Sequence, residues 1–381
     1  MTERCDIAIA GGGPVGAALA IAFSAAGWAV CLVERRAEPG AGADPRPIAL
    51  SHGSRLVLER LGAWADLAQA TPIECVHVSQ RGGFGRVDIA PEDAGVPALG
   101  YVTDYDALRA ALEARLAASP VKVLWGAGVT GATADADAVR IETDGAGALE
   151  ARLLAMADGA AHAAGGLPQR EHDYGQCAVT AIIDAPGAMR GHAWERFTSG
   201  GPIALLPFRD RLALVWTLPA AAAAGMAELG DADFLARLQQ GFGHMAGEFR
   251  AATPRRVYPL KLRYLKRVVA PREVAVGNAA QTLHPVAGQG FNLGLRDAWE
   301  LARAVGEPPG DPGVADRLAA YAAARRVDRW GTMGFTHLLI EAFGSALPLA
   351  AGARGAGLAL LAGMPFAKKF VARRMIFGAR G

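Results

Sequence analysis

Apolar and polar positions along this chain change period several times, and each change marks an element. Residues 5–10, CDIAIA, form a short apolar run of the kind a strand buried on both faces shows. After the glycine-rich GGGPVG of residues 11–16, apolar positions continue at helical spacing through Ala26. A second strand, Ala29 to Val33, ends in Glu34. Gly16 to Leu32 is nearly uncharged, but it divides into a buried helix and a strand rather than one membrane span. Ser51 to Leu61 predicts a helix, and the alternation on both sides of the glycines in residues 75–90 predicts a hairpin. Tyr105 to Leu116 reads as an amphipathic helix, and Val121–Trp125, Ala138–Ile141 and Leu153–Ala157 as strands.

From Cys177 to about Leu265 strands dominate, interrupted by one helix, Asp231 to Phe242. This predicts a mixed or antiparallel sheet laid against the first domain, with room for a substrate between them. The strand Glu273–Val276 then leads into residues 277–297, GNAAQTLHPVAGQGFNLGLRD, and a helix carrying Leu293, Leu295, Ala298, Leu301 and Ala302. Beyond it helices continue, with a basic amphipathic stretch at Tyr321–Trp330. In the last segment Lys368-Lys369 and Arg373-Arg374 alternate with Phe366, Phe370-Val371 and Met375-Ile376-Phe377. A helix there places apolar surface between cationic flanks, which suits an anionic membrane surface.

Composition narrows the choices only modestly. A length of 381 residues suits more than one domain, and 52% hydrophobic with 20% charged residues is globular. The formal net charge of +2 is too balanced for a nucleic-acid protein. Cys5, Cys31, Cys75 and Cys177 have neither CxxC nor zinc spacing, so reduced thiols in a cytoplasmic protein and no metal centre are expected. The alanine-rich runs look partly like codon bias and decide nothing by themselves.

Two glycine-rich turns carry the chemistry. Gly11, Gly13 and Gly16, with Pro14 at the helix start, stand between strand and helix, and Glu34 follows about 20 residues on, as dinucleotide binding requires. Gly11 makes the tight turn, Gly13 admits a pyrophosphate, Gly16 lets helix and strand pack, and Glu34 accepts from a ribose diol. There is no second GxGxxG to suggest a separate nicotinamide domain. The second turn, Gly288-Gln289-Gly290-Phe291-Asn292, brings backbone N–H groups and a helix N-terminus to one point, where negative charge is stabilised. Asp158-Gly159, just past a strand end, lies at the usual ligand edge of an α/β sheet. Arg46, held extended by Pro45 and Pro47, is a candidate ligand contact. Glu195, Arg196 and His192 sit on alternating strands and read as solvated side chains, and His77, also on an alternating strand, is not expected to be a ligand or catalyst; no catalytic acid or base stands out.

In their order and spacing these motifs resemble the flavin-dependent aromatic monooxygenases, and within them the ubiquinone-biosynthesis hydroxylases. PRPIALSHGS, VHVSQRG, ERFTSGGPIALLPF and VGNAAQTLHPVAGQGFNLGLRD carry the resemblance, which covers residues 4–335. Gly277-Asn278 stands where most of the superfamily has Gly-Asp, and it looks like the pattern of the methoxyphenol branch. His162 and Gly165-Gly166 follow Asp158-Gly159 where many relatives place Ser and Arg.

The resemblance implies an α/β fold: a Rossmann-like FAD-binding domain of the aromatic hydroxylase type, a mixed β-sheet substrate domain and C-terminal helices. The expected FAD domain is 1–72, 100–175 and 266–335, the substrate domain 73–99 and 176–265, and the tail 336–381. FAD contacts are expected at Gly11, Gly13, Pro14, Gly16, Glu34, Arg35, Arg46, Arg109, Asp158, Asn278, Gly288, Gln289, Gly290, Phe291 and Asn292. NADH or NADPH would reduce the flavin, and dioxygen would give a C4a-hydroperoxide that transfers oxygen to a phenol. The implied substrate is 2-polyprenyl-6-methoxyphenol. Other ubiquinone-biosynthesis proteins are implied partners, at the inner face of the cytoplasmic membrane. The alternatives are hydroxylation of another ring position or of a soluble aromatic, or a non-catalytic role in a quinone-making complex.

Overall fold

The computed structural model describes residues 3–159, 167–344 and 348–380; His162 and Gly165-Gly166 lie outside them. Among the described residues the strands form three sheets. In the first, Glu3–Ala10 pairs in parallel with Gly147–Met156 on one side and Val30–Glu34 on the other. Glu273–Ala275 and Lys122–Trp125 extend this parallel set outwards. Ile7, Ile9, Leu32, Leu153 and Val274 are inaccessible to solvent, which explains the unbroken apolar runs. Burying each such side chain stabilises the fold by about 1.5–3 kcal/mol.

Helices Pro14–Ala25, Tyr105–Ala117 and Gln289–Val305 share one core with this sheet. The first and last of these meet through glycines. A Cβ on Gly294 would lie 3.0 Å from Gly277 Cα and 3.0 Å from Val15 Cγ2, so the two glycine-rich turns are pressed together by packing. The strand expected at Leu153–Ala157 begins earlier, at Gly147, because it also pairs in antiparallel register with Val139–Asp144.

The second sheet joins Gln169–Asp184, His192–Thr198, Gly201–Phe208, Arg211–Pro219 and Arg256–Leu265 with the hairpin Cys75–Gln80 and Arg86–Ile89. The expected boundary at 175/176 falls inside the Gln169–Asp184 strand. Its first residues, QREHD, are exposed and polar, and its register shifts between Asp173 and Gln176, so no alternation marks them in the sequence. One face packs on helices Ala220–Glu228 and Asp231–Phe242 through Trp194, Trp216, Phe234 and Phe242. The first of these helices, AAAAAGMAE, was not anticipated; alanine's helix propensity outweighs the compositional reading of that run.

A 30-residue helix, Ala315–Gly344, replaces the shorter basic stretch expected at Tyr321–Trp330, and Pro348–Gly363 and Pro365–Phe377 end the chain. Among the described residues no helix is long and apolar enough to cross a membrane. The cations of the last helix depart from the expected flanks. Lys368 pairs with Asp93 at 3.0 Å, Arg373 donates to the Ala94 carbonyl, and Arg374 donates to the Val327 carbonyl. Lys369, Phe366 and Phe370 stay exposed.

Candidate cofactor and substrate site

A cavity of about 450 Å³ opens at the carboxyl ends of the parallel strands, beside Ala10, Val33 and Ala157. Gly11, Gly13, Pro14, Glu34, Arg35, Arg46, Asp158, Asn278, Gly290 and Phe291 all line it. Residues far apart in sequence are thus gathered by the strand order around one volume. Gly11 adopts φ +96, and a Cβ there would lie 2.6 Å from Asp158 Cα; a Cβ on Gly16 would lie 1.9 Å from the Gly11 carbonyl oxygen. Gly13, by contrast, faces open space. The first and third glycines therefore close the turn, and the second leaves the backbone approachable.

Both helices that start at the cavity lack a side-chain cap and an acid in their first turn. Their first N–H groups and positive ends remain available to a ligand. Gly288, the residue before the second helix, sits at φ +60, a conformation that favours glycine.

Glu34 accepts from the Gly12 and Arg36 N–H groups. Arg36, which no sequence motif marks, pairs with Glu34 and Glu113 and donates to the Gly12 carbonyl at 3.0 Å. Its guanidinium also stands 5.4 Å from the Trp125 ring. Only a three-dimensional neighbourhood, not a motif, distinguishes it from the adjacent Arg35. Arg46 pairs with Asp44 and lies 4.9 Å from the Tyr258 ring, so it bridges towards the second sheet. Arg109 does not line the cavity; it donates to the Ala41 and Gly42 carbonyls at 3.0 and 2.6 Å and orders that loop.

Gly288, Gln289 and Asn292 line a second, smaller cavity of about 130 Å³. Asn292 uses its whole side chain inside the protein. Its Oδ1 accepts from Ser51 N–H at 2.8 Å and Ser54 Oγ at 2.6 Å, and its Nδ2 donates to the Ala49 and Gly288 carbonyls. It fixes the turn to the strand Pro47–Ser51. The remaining walls are mainly apolar: Leu50, Ile73, Val76, Ile89 and Leu99, with Ala372, Met375 and Ile376 from the terminal helix. Ser51 Oγ donates to the Ile376 carbonyl at 3.0 Å, tethering that helix to the wall.

Beneath the turn lies a buried ionic network. Asp297 accepts from Gly277 N–H at 3.2 Å, Gln281 Nε2 at 2.6 Å and Arg325 Nε at 2.7 Å. Arg325 and Arg296 also meet Asp328, at 2.8 and 2.9 Å. Burial alone raises the Asp328 carboxyl, but the two guanidiniums hold it below its ordinary value. Arg325 and Arg329 of the basic amphipathic stretch are thus internal. His284 is buried, its Nδ1 accepts from Val286 N–H at 3.2 Å, and burial pushes it down to about 4.

Glu195 departs from the solvated reading. It is half-buried, and desolvation pushes its carboxyl up to about 7. His77 pairs with Asp88 across the hairpin, Arg196 donates to Ser79 Oγ at 3.4 Å, and His192 contacts the Arg190 carbonyl. His172, His337 and Glu341 bring ligand atoms within 4.8 Å of one another on the surface, but none of them lines either cavity.

Residues 4–336 match the family described as FAD binding domain. The chain belongs to that family. It is 33% identical to the ubiquinone hydroxylase UbiL of Rhodospirillum rubrum, over 97% of this chain and 89% of the relative. It is 30% identical to the 3-demethoxyubiquinol 3-hydroxylase of Escherichia coli, over 91% and 92%. Its fold is similar to that of p-nitrophenol 4-monooxygenase PnpA from Pseudomonas putida, with a TM-score of 0.77, 18% identity and full coverage of both chains. The protein is an FAD-dependent aromatic monooxygenase, a class that uses NAD(P)H and dioxygen. The residues of the larger cavity fit FAD: two uncapped helix ends face it, an open glycine backbone adjoins it, and Glu34 stands at its rim.

Proposed function

We propose that this enzyme hydroxylates the ring of a polyprenylated phenol in ubiquinone biosynthesis, with 2-polyprenyl-6-methoxyphenol as the substrate. The observation that carries this reading is the apolar cavity built directly on the Gly288–Asn292 turn. A prenylated ring suits such walls, while a charged soluble aromatic would find no cation in them. The two relatives named for ubiquinone chemistry support the pathway. The Escherichia coli relative, named for a demethoxyubiquinol, favours a second reading in which another ring position is the target.

Bound FAD supplies the redox chemistry that draws electrons from NAD(P)H and activates dioxygen. Gly11, Gly13, Gly16 and the helix start at Pro14 hold the pyrophosphate, and Glu34 takes the ribose. Gly290 and Phe291, at the start of the second uncapped helix, stabilise negative charge on the flavin by up to ~2 kcal/mol. Asn278 reaches the cavity rim as an uncharged hydrogen-bonding group. Asp158, Arg46 and Arg35 complete the clamp, and Arg109 acts from outside it by ordering the loop at Ala41-Gly42. The apolar walls exclude water where oxygen is transferred.

The enzyme works at the inner face of the cytoplasmic membrane, and Phe366 and Phe370 are the residues that enter the surface. Turnover with NADH or NADPH, dioxygen and a short-chain prenylated methoxyphenol tests the substrate assignment. The product expected is the phenol plus one oxygen. Flavin reduction without that product would refute it.

A further inference from the structure

Away from both cavities, imidazoles gather where the second sheet meets the long helix Ala315–Gly344. The strand Gln169–Asp184 pairs in antiparallel register with Arg256–Leu265, and its polar first residues alternate between two faces. On one face Lys261 and Arg263 are engaged by Glu171 and Asp173, at 2.7–3.3 Å. Arg170, His172 and Tyr174 share the other face, towards the helix. Two ring contacts fix that approach. Tyr264, opposite Arg170, meets Trp330 at 5.5 Å, and His172 meets His337 at 5.6 Å with the rings perpendicular.

His337 and Glu341 are one helical turn apart, so both side chains lie on the helix face that meets His172. The ligand atoms of all three lie within 4.8 Å of one another. A tetrahedral ion with bonds of about 2.0–2.1 Å holds its ligand atoms ~3.3 Å apart. The longest separation therefore closes by at most about 1.5 Å, which torsions of surface side chains supply. Tyr174 Oη stands 3.2 Å from His337 Nδ1. That contact orients the ring and leaves Nε2 free, as the outer hydrogen bond of a ligating imidazole does. Two neutral imidazoles and one carboxylate carry a single negative charge, a donor set that favours zinc-type ions over magnesium or calcium. Arg170 shares this face but stands opposite Tyr264, about 6.6 Å along the strand from His172.

We propose that His172, His337 and Glu341 bind a divalent transition-metal ion of the zinc class, with Tyr174 as the positioning residue for His337. No cysteine belongs to the cluster. Three protein ligands leave a fourth position to water. One ligand comes from a strand of the second sheet and two from the long helix, so the ion ties these elements together. Tyr174 also packs edge-on against the buried His284, with ring centroids 5.5 Å apart. His284 immediately precedes Pro285 in the turn that leads to Gly288. The bound ion thus braces the protein behind the flavin turn. Its site is separate from both cavities and independent of the substrate assignment.

The test titrates zinc ion into tag-free, chelator-treated holoenzyme by calorimetry, with flavin content as the check on folding. Wild type is expected to bind one equivalent, and excess magnesium should leave the titration unchanged. His172→Gln, His337→Gln and Glu341→Gln should each weaken binding by at least ~10-fold, and Tyr174→Phe by about 10-fold. His192→Gln, on a strand outside the cluster, should match wild type. Glu341→Gln, at an exposed position, carries the test if a histidine variant loses its flavin. Cobalt in place of zinc should show the absorption of a nitrogen- and oxygen-ligated ion. Wild type without saturable zinc binding, unchanged affinity in the three ligand variants, or a sulfur-to-cobalt charge-transfer band would overturn the proposal.

Discussion

Replacing Arg325 with Met should unfold the flavin platform from beneath. Arg325 and Asp297 are buried, their side chains 4% and 0% exposed, with Nε and Oδ1 2.7 Å apart. Removing the guanidinium leaves Asp297 as a buried charge held by the Gly277 N–H and Gln281. Asp328 suffers less, because Arg296 still reaches it at 2.9 Å. Losing one member of such a pair costs about 3–5 kcal/mol, whereas replacing both by apolar groups of similar size is often close to neutral. Urea unfolding of flavin-stripped protein should therefore show Arg325→Met about 3–5 kcal/mol below wild type. Adding Asp297→Leu should recover most of that loss. The double variant should still bind FAD at least ~10-fold more weakly, because the Gly277 N–H has lost a charge-assisted hydrogen bond worth about 1.5–3 kcal/mol. Fluorescence titration reads this directly. An Arg325→Met loss under about 1 kcal/mol, or a double variant no better than the sum of the singles, would refute the buried-charge reasoning.

Two further outcomes follow from buried and exposed groups. His284 has a folded value of about 4, below its ordinary 6.5, so only the unfolded chain binds its proton between those limits. Its contribution is complete above about pH 6.5 and is lost as pH falls towards 4, by about 3 kcal/mol. Denaturation midpoints of His284→Phe should accordingly vary less with pH than those of wild type; parallel curves would count against this. In the terminal helix, Phe366 and Phe370 are 81% and 60% exposed. Phe366→Ser with Phe370→Ser should reduce flotation with anionic liposomes, while Lys368→Ser should change it little because that cation faces Asp93. The opposite ranking would restore the electrostatic picture.

The cofactor side was legible in the sequence because its requirements are local. Glycines at 11, 13 and 16 sit in one turn, the acid ends the next strand, and parallel strands buried on both faces appear as apolar runs. The substrate side was not, because its walls come from distant segments. Ile73, Leu99 and Met375 share no motif, and only the packing of the terminal helix over the helices His52–Arg60 and Pro91–Ala94 brings them together. Glu195 looked solvated because strand alternation says which residues share a face but not which face is covered. The roles of Arg325 and Arg329 were not legible either, because their buried partners Asp297 and Gln281 lie 28 and 48 residues away in sequence.

The most direct measurement is the origin of the new oxygen. Purified holoenzyme, NAD(P)H and a short-chain prenylated methoxyphenol are incubated under isotopically labelled dioxygen, and the aromatic product is weighed by mass spectrometry. One labelled oxygen is expected on the ring, formed in step with NAD(P)H oxidation. An unchanged phenol, with reduced flavin reoxidised solely to hydrogen peroxide, would contradict it.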